Sequence, residues 1–126
     1  MGNGTSIGRV RGLGAANAGT HHWLLQRLTA IGNLLLGLWL AVSFVILPNL
    51  SYPTVSEWLS SPIPATAMAL FIISTFWHAR LGMQVMIEDY VHGANRIFAL
   101  VAINLLAIGG AAFGLFCVIR LALGGA

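Results

Sequence analysis

Residues 58–79 read WLSSPIPATAMALFIISTFWHA, and with His78 counted as neutral none of these 22 residues carries a charge. A helix needs about 20 apolar residues to cross a hydrocarbon core about 30 Å thick. Two more charge-free stretches, residues 28–56 and 97–119, lie on either side. In lipid the backbone must satisfy its own hydrogen bonds, and a helix does so. The sequence therefore predicts three transmembrane helices.

Prolines and glycines around these stretches indicate where the helices end. Pro48 closes the first helix, the segment from Pro62 to Pro64 suits the first turn of the second, and Gly124 follows the third. The expected fold is all-α, a single membrane domain over residues 1–126. Its expected parts are a cytoplasmic arm at residues 1–27 and three helices at about residues 28–47, 63–87 and 96–122.

The composition excludes several classes of protein. Hydrophobic residues make up 58% of the chain and charged residues 7%, against roughly a quarter charged in globular domains. A water-soluble enzyme and a disordered chain are both incompatible with this balance. The six arginines are scattered, so no basic patch for nucleic acid is expected. The single cysteine, Cys117, excludes a disulfide framework within the chain and a cysteine-rich zinc site.

The arginine distribution predicts the direction of the helices. Arg9, Arg11 and Arg27 precede the first helix, whereas the first loop contains one acid, Glu57, and no basic residue. Basic residues accumulate on the cytoplasmic side of membrane proteins. We therefore expect a cytoplasmic N-terminus and a C-terminus outside, which agrees with an odd number of spans.

Small residues recur in the third stretch at helical spacing. Gly110 and Gly114 form a small-xxx-small pattern, which permits the close approach of a neighbouring helix. We interpret this pattern as helix packing, without a role in chemistry.

His78 is the ionisable side chain of greatest interest within the spans. It is expected nine residues before the cytoplasmic end of its helix, or about 14 Å deep. Gly82, one turn further on, would leave a slot for a flat ligand, and a neutral imidazole is a good iron ligand. The alternative is a histidine hydrogen-bonded to a serine or a carbonyl on an adjacent helix. Depth and spacing alone leave both interpretations open.

The other charged and polar residues near the spans have simpler interpretations. Arg80 points away from the face of His78 and is expected to extend to the cytoplasmic interface, with a salt bridge or a phosphate contact as the alternative. Asp89 and Tyr90 form a pair at the membrane boundary, where tyrosine is commonly an interface anchor. Their functional alternative is a hydrogen bond to a quinone. The position of Arg27 is explained by the positive-inside rule alone. Its alternative role is to bind phosphates or propionates, which lie at this level of the membrane interface.

The run HARLGMQVMIEDY, from His78 to Tyr90, resembles the hydrophobic membrane anchor of succinate dehydrogenase. In that family a histidine, a glycine four residues on, and an Asp-Tyr pair mark the second helix. His78, Gly82, Asp89 and Tyr90 match this pattern. The stretch QRLTA around Arg27 is similar to the start of the family's first helix, and the three-helix plan covers the whole chain.

The resemblance implies a membrane anchor of succinate:ubiquinone oxidoreductase, respiratory complex II, in a bacterial inner membrane. Its partners would be the cytochrome b subunit, the iron–sulfur subunit and the flavoprotein subunit, with no nucleic acid. His78 would supply one axial ligand of a haem b shared with the cytochrome b subunit, and Arg27 and His21 would lie near the haem propionates. Tyr90 would bind ubiquinone, with Asp89 beside it. The succinate chemistry itself would belong to other subunits.

Rival functions remain open on the sequence. One is a purely structural membrane anchor without haem or quinone contacts. Another is a small integral-membrane transporter subunit, although Glu88 and Asp89 lie at the end of a span and no acid lies in mid-membrane. A cytochrome subunit of another complex would need more histidines at depth.

Overall fold

The computed structural model describes residues 6–7 and 17–124 of the chain. Four helices follow one another: α1 at Asn17–Ile46, α2 at Tyr52–Leu59, α3 at Pro62–Tyr90 and α4 at Ala94–Ala122. The segments Gly19–Ile46, Pro62–Tyr90 and Ala94–Ala122 are long and apolar enough to cross a membrane. The all-α class with three membrane-spanning helices is thereby confirmed. Arg9 and Arg11, which contribute to the predicted orientation, lie outside the described residues.

The first helix is longer than the sequence predicts. It begins at Asn17 and not near residue 28, so His21, His22 and Arg27, which the sequence places in the arm at residues 1–27, are part of the helix. A hydrophobicity argument locates only the part of a helix within the hydrocarbon, whereas backbone hydrogen bonding continues the helix through the interface. The extension places these three side chains at fixed positions relative to the span. The other two spans agree with their predicted limits to within a few residues.

The loop between the first two spans contains a short helix that the pattern of charge-free stretches does not predict. α1 ends at Ile46, close to the predicted limit, but the chain coils again over Tyr52–Leu59 with a proline in the first turn. Asn49 organises this start. Its Oδ1 accepts hydrogen bonds from the Ser51 N–H at 3.0 Å and from the Thr54 hydroxyl at 2.8 Å. A proline and an asparagine that follow the end of α1 thus also form the start of α2.

α2 packs back onto the end of the bundle through its aromatic side chain. The Trp58 ring lies 6.1 Å from that of Trp39 and 5.2 Å from that of Phe44, both on α1. Leu59 is buried, and α2 also contacts α3 and α4. The short helix therefore ties the three spans together at one end.

α3 is the central span. It packs against α1 on one side and α4 on the other, and within residues 17–124 α1 and α4 do not approach each other. At the α3–α4 contact, a Cβ on Gly110 would overlap the ring of Phe76, and one on Gly114 would lie 3.1 Å from Ile72. The packing role predicted for these two glycines is confirmed.

Very little of the chain is shielded from its surroundings. The buried apolar side chains of the described part are Leu40, Leu59, Pro64, Leu81, Ile103 and Val118. Large apolar side chains are exposed on all three spans, including Leu34 at 69%, Met86 at 54% and Leu106 at 72%. Exposed apolar surface of this extent is covered by lipid or by another polypeptide.

Candidate functional site

A cleft of about 460 Å³ opens between the N-terminal half of α1 and the C-terminal half of α3. Residues recurring every three or four positions share one helix face, and the walls of the cleft follow this spacing on both helices. The cleft is lined by Gly19, His22, Trp23, Gln26, Arg27, Ala30, His78, Gly82 and Val85. The structure thus brings together His78, Gly82 and Arg27, which the sequence pattern indicates separately.

His78 uses one ring nitrogen within the chain and leaves the other available. Its Nδ1 lies 3.1 Å from the hydroxyl oxygen of Thr29 on α1. Its Nε2 has no hydrogen-bond partner in the described part of the chain and is not buried. α3 continues to Tyr90, so His78 lies close to the middle of this helix, about 18 Å from its C-terminal end. The alternative of a histidine bonded to a neighbouring helix therefore holds for Nδ1 only.

Thr29 is itself anchored at three points. Its hydroxyl lies 2.8 Å from the carbonyl oxygen of Leu25 and 3.1 Å from that of Gln26, one turn earlier in α1. Its own carbonyl accepts a hydrogen bond of 3.2 Å from the Ser74 hydroxyl on α3. A Cβ at Gly32 would lie 3.2 Å from that same hydroxyl, so the two helices approach closely beside His78.

Gln26 occupies part of the slot that Gly82 was expected to leave open. A Cβ at Gly82 would lie 3.5 Å from Gln26 Nε2, so the carboxamide lies over the glycine. Gln26 Oε1 is buried and has no hydrogen-bond partner in residues 17–124. A buried acceptor without a partner costs about 1–3 kcal/mol and is typical of a site that another group completes. An orphaned oxygen beside an accessible imidazole fits a cleft that takes up a ligand.

The basic residues of the cleft lie on α1. Arg27 is exposed, with its guanidinium carbon 5.5 Å from the centroid of the Trp23 ring, a cation–π distance. His22 is half-buried and lines the cleft, whereas His21 is exposed and does not line it. The helical phase of α1 accounts for this difference, since His22 and Gln26 are one turn apart. A role for His21 beside a propionate stays a prediction.

Sequence reasoning missed three residues in or beside the cleft, His22, Gln26 and Thr29. The signal that indicates them is the spacing of four and three residues between them, which aligns them on one face of a helix. This signal is visible only when α1 is extended back to Asn17.

Asp89 and Tyr90 lie apart from the cleft, at the C-terminal end of α3. Both are exposed, Tyr90 at 80%, and neither side chain has a hydrogen-bond partner within the ranges the structure describes. Tyr90 is about 18 Å along the helix from His78. Glu88, next to the pair, accepts a hydrogen bond of 2.9 Å from Gln84. The hydroxyl of Tyr90 and the carboxylate of Asp89 are therefore free to contact another molecule.

Arg80 does not extend along α3 to the interface. Its Nε donates a hydrogen bond to Oδ1 of Asn104 on α4, and Asn104 Nδ2 donates in turn to the carbonyl of Leu100 at 2.7 Å. A second cleft, of about 360 Å³, lies here between α3 and α4. The expected extension to the interface considered α3 alone, whereas the Arg80 guanidinium is bonded to an acceptor on the adjacent helix.

Three spans, an accessible imidazole near mid-membrane and extensive uncovered apolar surface define an integral membrane protein. The chain matches the description "Succinate dehydrogenase/Fumarate reductase transmembrane subunit" over residues 1–119. It belongs to this family, and the family resemblance of the His78–Tyr90 motif is confirmed.

Curated relatives agree with this assignment. The succinate dehydrogenase hydrophobic membrane anchor subunit of Rickettsia bellii (strain RML369-C) is 38% identical over 105 residues, covering 81% of this chain and 82% of that protein. The succinate dehydrogenase membrane anchor subunit of Reclinomonas americana is 39% identical, covering 72% and 79%. The hydrophobic membrane anchor subunit of Paracoccus denitrificans is 30% identical, covering 91% and 89%. No solved structure gives a significant match.

Proposed function

We propose that the chain anchors a succinate dehydrogenase in the bacterial inner membrane, holds one side of a haem b and forms part of the ubiquinone site. Family membership and three membrane-spanning helices support the anchoring role. In this function electrons from succinate pass to ubiquinone, linking the tricarboxylic acid cycle to the respiratory chain. The flavoprotein and iron–sulfur subunits carry out the succinate chemistry.

The observation that carries the haem proposal is the state of His78. Its Nδ1 is bonded within the chain, whereas Nε2 is accessible and unbonded in the cleft between α1 and α3. An unprotonated imidazole nitrogen is a good ligand for iron, so His78 would hold the haem through Nε2. His22 lies seven residues, or about 10 Å, nearer the start of α1 than Thr29, which contacts His78, so the proposal does not assign it as a second iron ligand. The cytochrome b subunit supplies that second ligand in the proposal.

The basic residues of α1 suit the acidic groups of a haem. Arg27 and His22 belong to the cleft about two turns or less from the level of Thr29 and His78. Arginine presents a planar fork that matches a carboxylate, so these two residues would hold the propionates. When bound, haem b supplies one-electron transfer. The chain's own residues would fix the orientation of the haem in the cleft.

The quinone site is proposed at the C-terminal end of α3. The Tyr90 hydroxyl donates a hydrogen bond to a quinone carbonyl, and Asp89 helps to deliver protons or to orient a neighbouring cation. The high exposure of both side chains supports this assignment, because the remaining walls come from the cytochrome b and iron–sulfur subunits. A hydrogen bond to a carbonyl oxygen that gains charge strengthens on reduction.

Orientation follows the positive-inside rule. The N-terminus and the α3–α4 loop are assigned to the cytoplasmic side, and α2 and the C-terminus to the outer side. The rim of the cleft and Tyr90 then face the cytoplasm, where the flavoprotein and iron–sulfur subunits bind.

The test compares His78→Ala with His92→Ala in the complex purified through a tag on this chain. His92 is an exposed histidine just beyond α3 and serves as the control. Both variants should co-purify the flavoprotein and iron–sulfur subunits, but only His78→Ala should lose the b-type absorbance. An unchanged haem spectrum in His78→Ala would contradict the haem proposal and favour the alternative of a purely structural anchor. Recovery of the tagged wild-type chain without the dehydrogenase subunits would contradict the anchoring function.

A further inference from the structure

We infer that Thr29 is a positioning residue for the His78 imidazole: its hydroxyl keeps the proton of the neutral ring on Nδ1 and so presents an unprotonated Nε2 to the cleft. This inference rests on the haem function proposed above. It concerns which nitrogen of His78 can bind iron, and how strongly.

The tautomer of His78 follows from the single proton that the Thr29 hydroxyl can donate. A threonine hydroxyl has one proton to donate and two lone pairs to accept with. The carbonyl oxygens of Leu25 and Gln26 can only accept, and they lie 2.8 Å and 3.1 Å from Oγ1. The hydroxyl proton is therefore directed to these carbonyls. Toward His78, the oxygen of Thr29 can only accept a hydrogen bond.

Nδ1 of His78, at 3.1 Å from that oxygen, must then be the donor. A neutral imidazole carries a single N–H, so Nε2 bears the lone pair. The reverse arrangement, with Thr29 donating to Nδ1, would leave the Thr29 and Leu25 oxygens 2.8 Å apart with no proton between them. The backbone of α1 thus selects the tautomer of a side chain on α3.

The contact is held by the packing of the two helices as well as by this hydrogen bond. Ser74, one turn before His78, donates to the carbonyl of Thr29 at 3.2 Å. Gly32 allows the close approach, because a Cβ there would lie 3.2 Å from the Ser74 hydroxyl. Thr29 and His78 are therefore fixed relative to each other by residues on both sides of the contact.

A hydrogen bond from the far nitrogen of a metal-binding histidine orients the ring and raises the basicity of the ligating nitrogen. A more basic ligand favours ferric over ferrous iron. Loss of the Thr29 acceptor should therefore raise the midpoint potential of the haem and weaken its retention by roughly 10- to 100-fold, the usual effect of losing such a partner.

The test uses the purified complex with Thr29→Val, which keeps the shape of the side chain but removes the hydroxyl, and Thr29→Ser, which restores it. Thr66→Val is the matched control, because the Thr66 hydroxyl also bonds a carbonyl four residues earlier, that of Pro62 at 2.7 Å, but lies away from the cleft. The readouts are the midpoint potential of the haem, its low-temperature EPR spectrum and the haem-to-flavin ratio during prolonged washing.

Thr29→Val should show a more positive potential, shifted EPR g-values and faster haem loss, whereas Thr29→Ser and Thr66→Val should match the wild type. If Thr29→Val does not assemble, Thr29→Ala removes the same hydroxyl without adding a methyl group near Nδ1. A wild-type potential and EPR spectrum in the hydroxyl-free variants, with haem lost in His78→Ala, would overturn the role of Thr29 alone. Retention of haem in His78→Ala would overturn both this inference and the haem proposal.

Discussion

At the scale of single residues, the two ring nitrogens of His78 in the α1–α3 cleft differ in their hydrogen bonding. Nδ1 of His78 is bonded to Thr29, which offsets part of the cost of placing a polar ring near mid-membrane. Nε2 has no hydrogen-bond partner among the described residues, and the haem proposal assigns it to the iron. A fully satisfied histidine would have indicated packing alone, and a fully unsatisfied one would be costly to bury.

Tyr90→Phe tests the quinone assignment at the same scale. Removing the hydroxyl should lower succinate-dependent ubiquinone reduction by roughly 10- to 150-fold, because a hydrogen bond to a developing charge contributes roughly 1.5–3 kcal/mol. Succinate oxidation with an artificial electron acceptor should not change, since that reaction does not need the quinone site. Steady-state rates with both acceptors provide the measurement.

Tyr52→Phe is the matched control for this variant. Tyr52 is also exposed, at 64%, but begins α2 at the other end of the spans. Its variant should reduce ubiquinone at the wild-type rate. If Tyr90→Phe reduces ubiquinone at the wild-type rate, the quinone assignment is wrong and Tyr90 is an interface anchor.

Sequence reasoning reaches His78 but not its surroundings, and the reason is physical. Depth in the membrane is a one-dimensional quantity that the distance to the helix end gives directly. The partner of His78 depends on the rotation and register of α1 against α3, which the sequence of one chain does not specify. Thr29, Gln26 and the placement of Arg80 against Asn104 depend on how the helices pack, and these contacts emerge only from the structure.

At the scale of elements, the α3–α4 contact depends on small residues. Gly110→Ala should destabilise the complex by about 1–3 kcal/mol, because the added methyl would overlap the Phe76 ring and overpack the contact. The midpoint of thermal unfolding of the purified complex should fall accordingly.

The adjacent residue provides a control of identical chemistry. A Cβ at Gly109 would meet nothing within 4 Å, and alanine is the better helix former. Gly109→Ala should therefore leave the unfolding midpoint unchanged or raise it. Equal midpoints for the two variants would show that Gly110 does not limit the approach of α3 and α4.

The elements themselves differ in how well the sequence predicts them. The three spans follow from long charge-free stretches, because insertion into lipid imposes a strong and simple requirement on composition. α2 has only eight residues and begins among prolines and serines, which also form turns. Its formation depends on the packing of Trp58 and Leu59 against the spans, a tertiary contribution that local composition does not show.

At the scale of the whole molecule, the three spans form an incomplete structure. α3 contacts both neighbours, whereas α1 and α4 do not meet within residues 17–124, and few side chains are buried. The cleft at His78 is consequently bounded by two helices only. Lipid or a second polypeptide must cover its open side, and the proposed haem between two subunits corresponds to the second case.

The direction of the chain in the membrane is the last feature open to test at this scale. Fusion of alkaline phosphatase after the C-terminus or within the loop before α2 should give an active enzyme, because both sites are assigned outside. Fusion near Gly93, between α3 and α4, should give an inactive one, since the positive-inside rule assigns this loop to the cytoplasm. Green fluorescent protein at the same three sites should give the opposite pattern. A fluorescent C-terminal fusion would reverse the assignment, and with it the side of the membrane on which Arg27, Asp89 and Tyr90 are proposed to meet the dehydrogenase subunits.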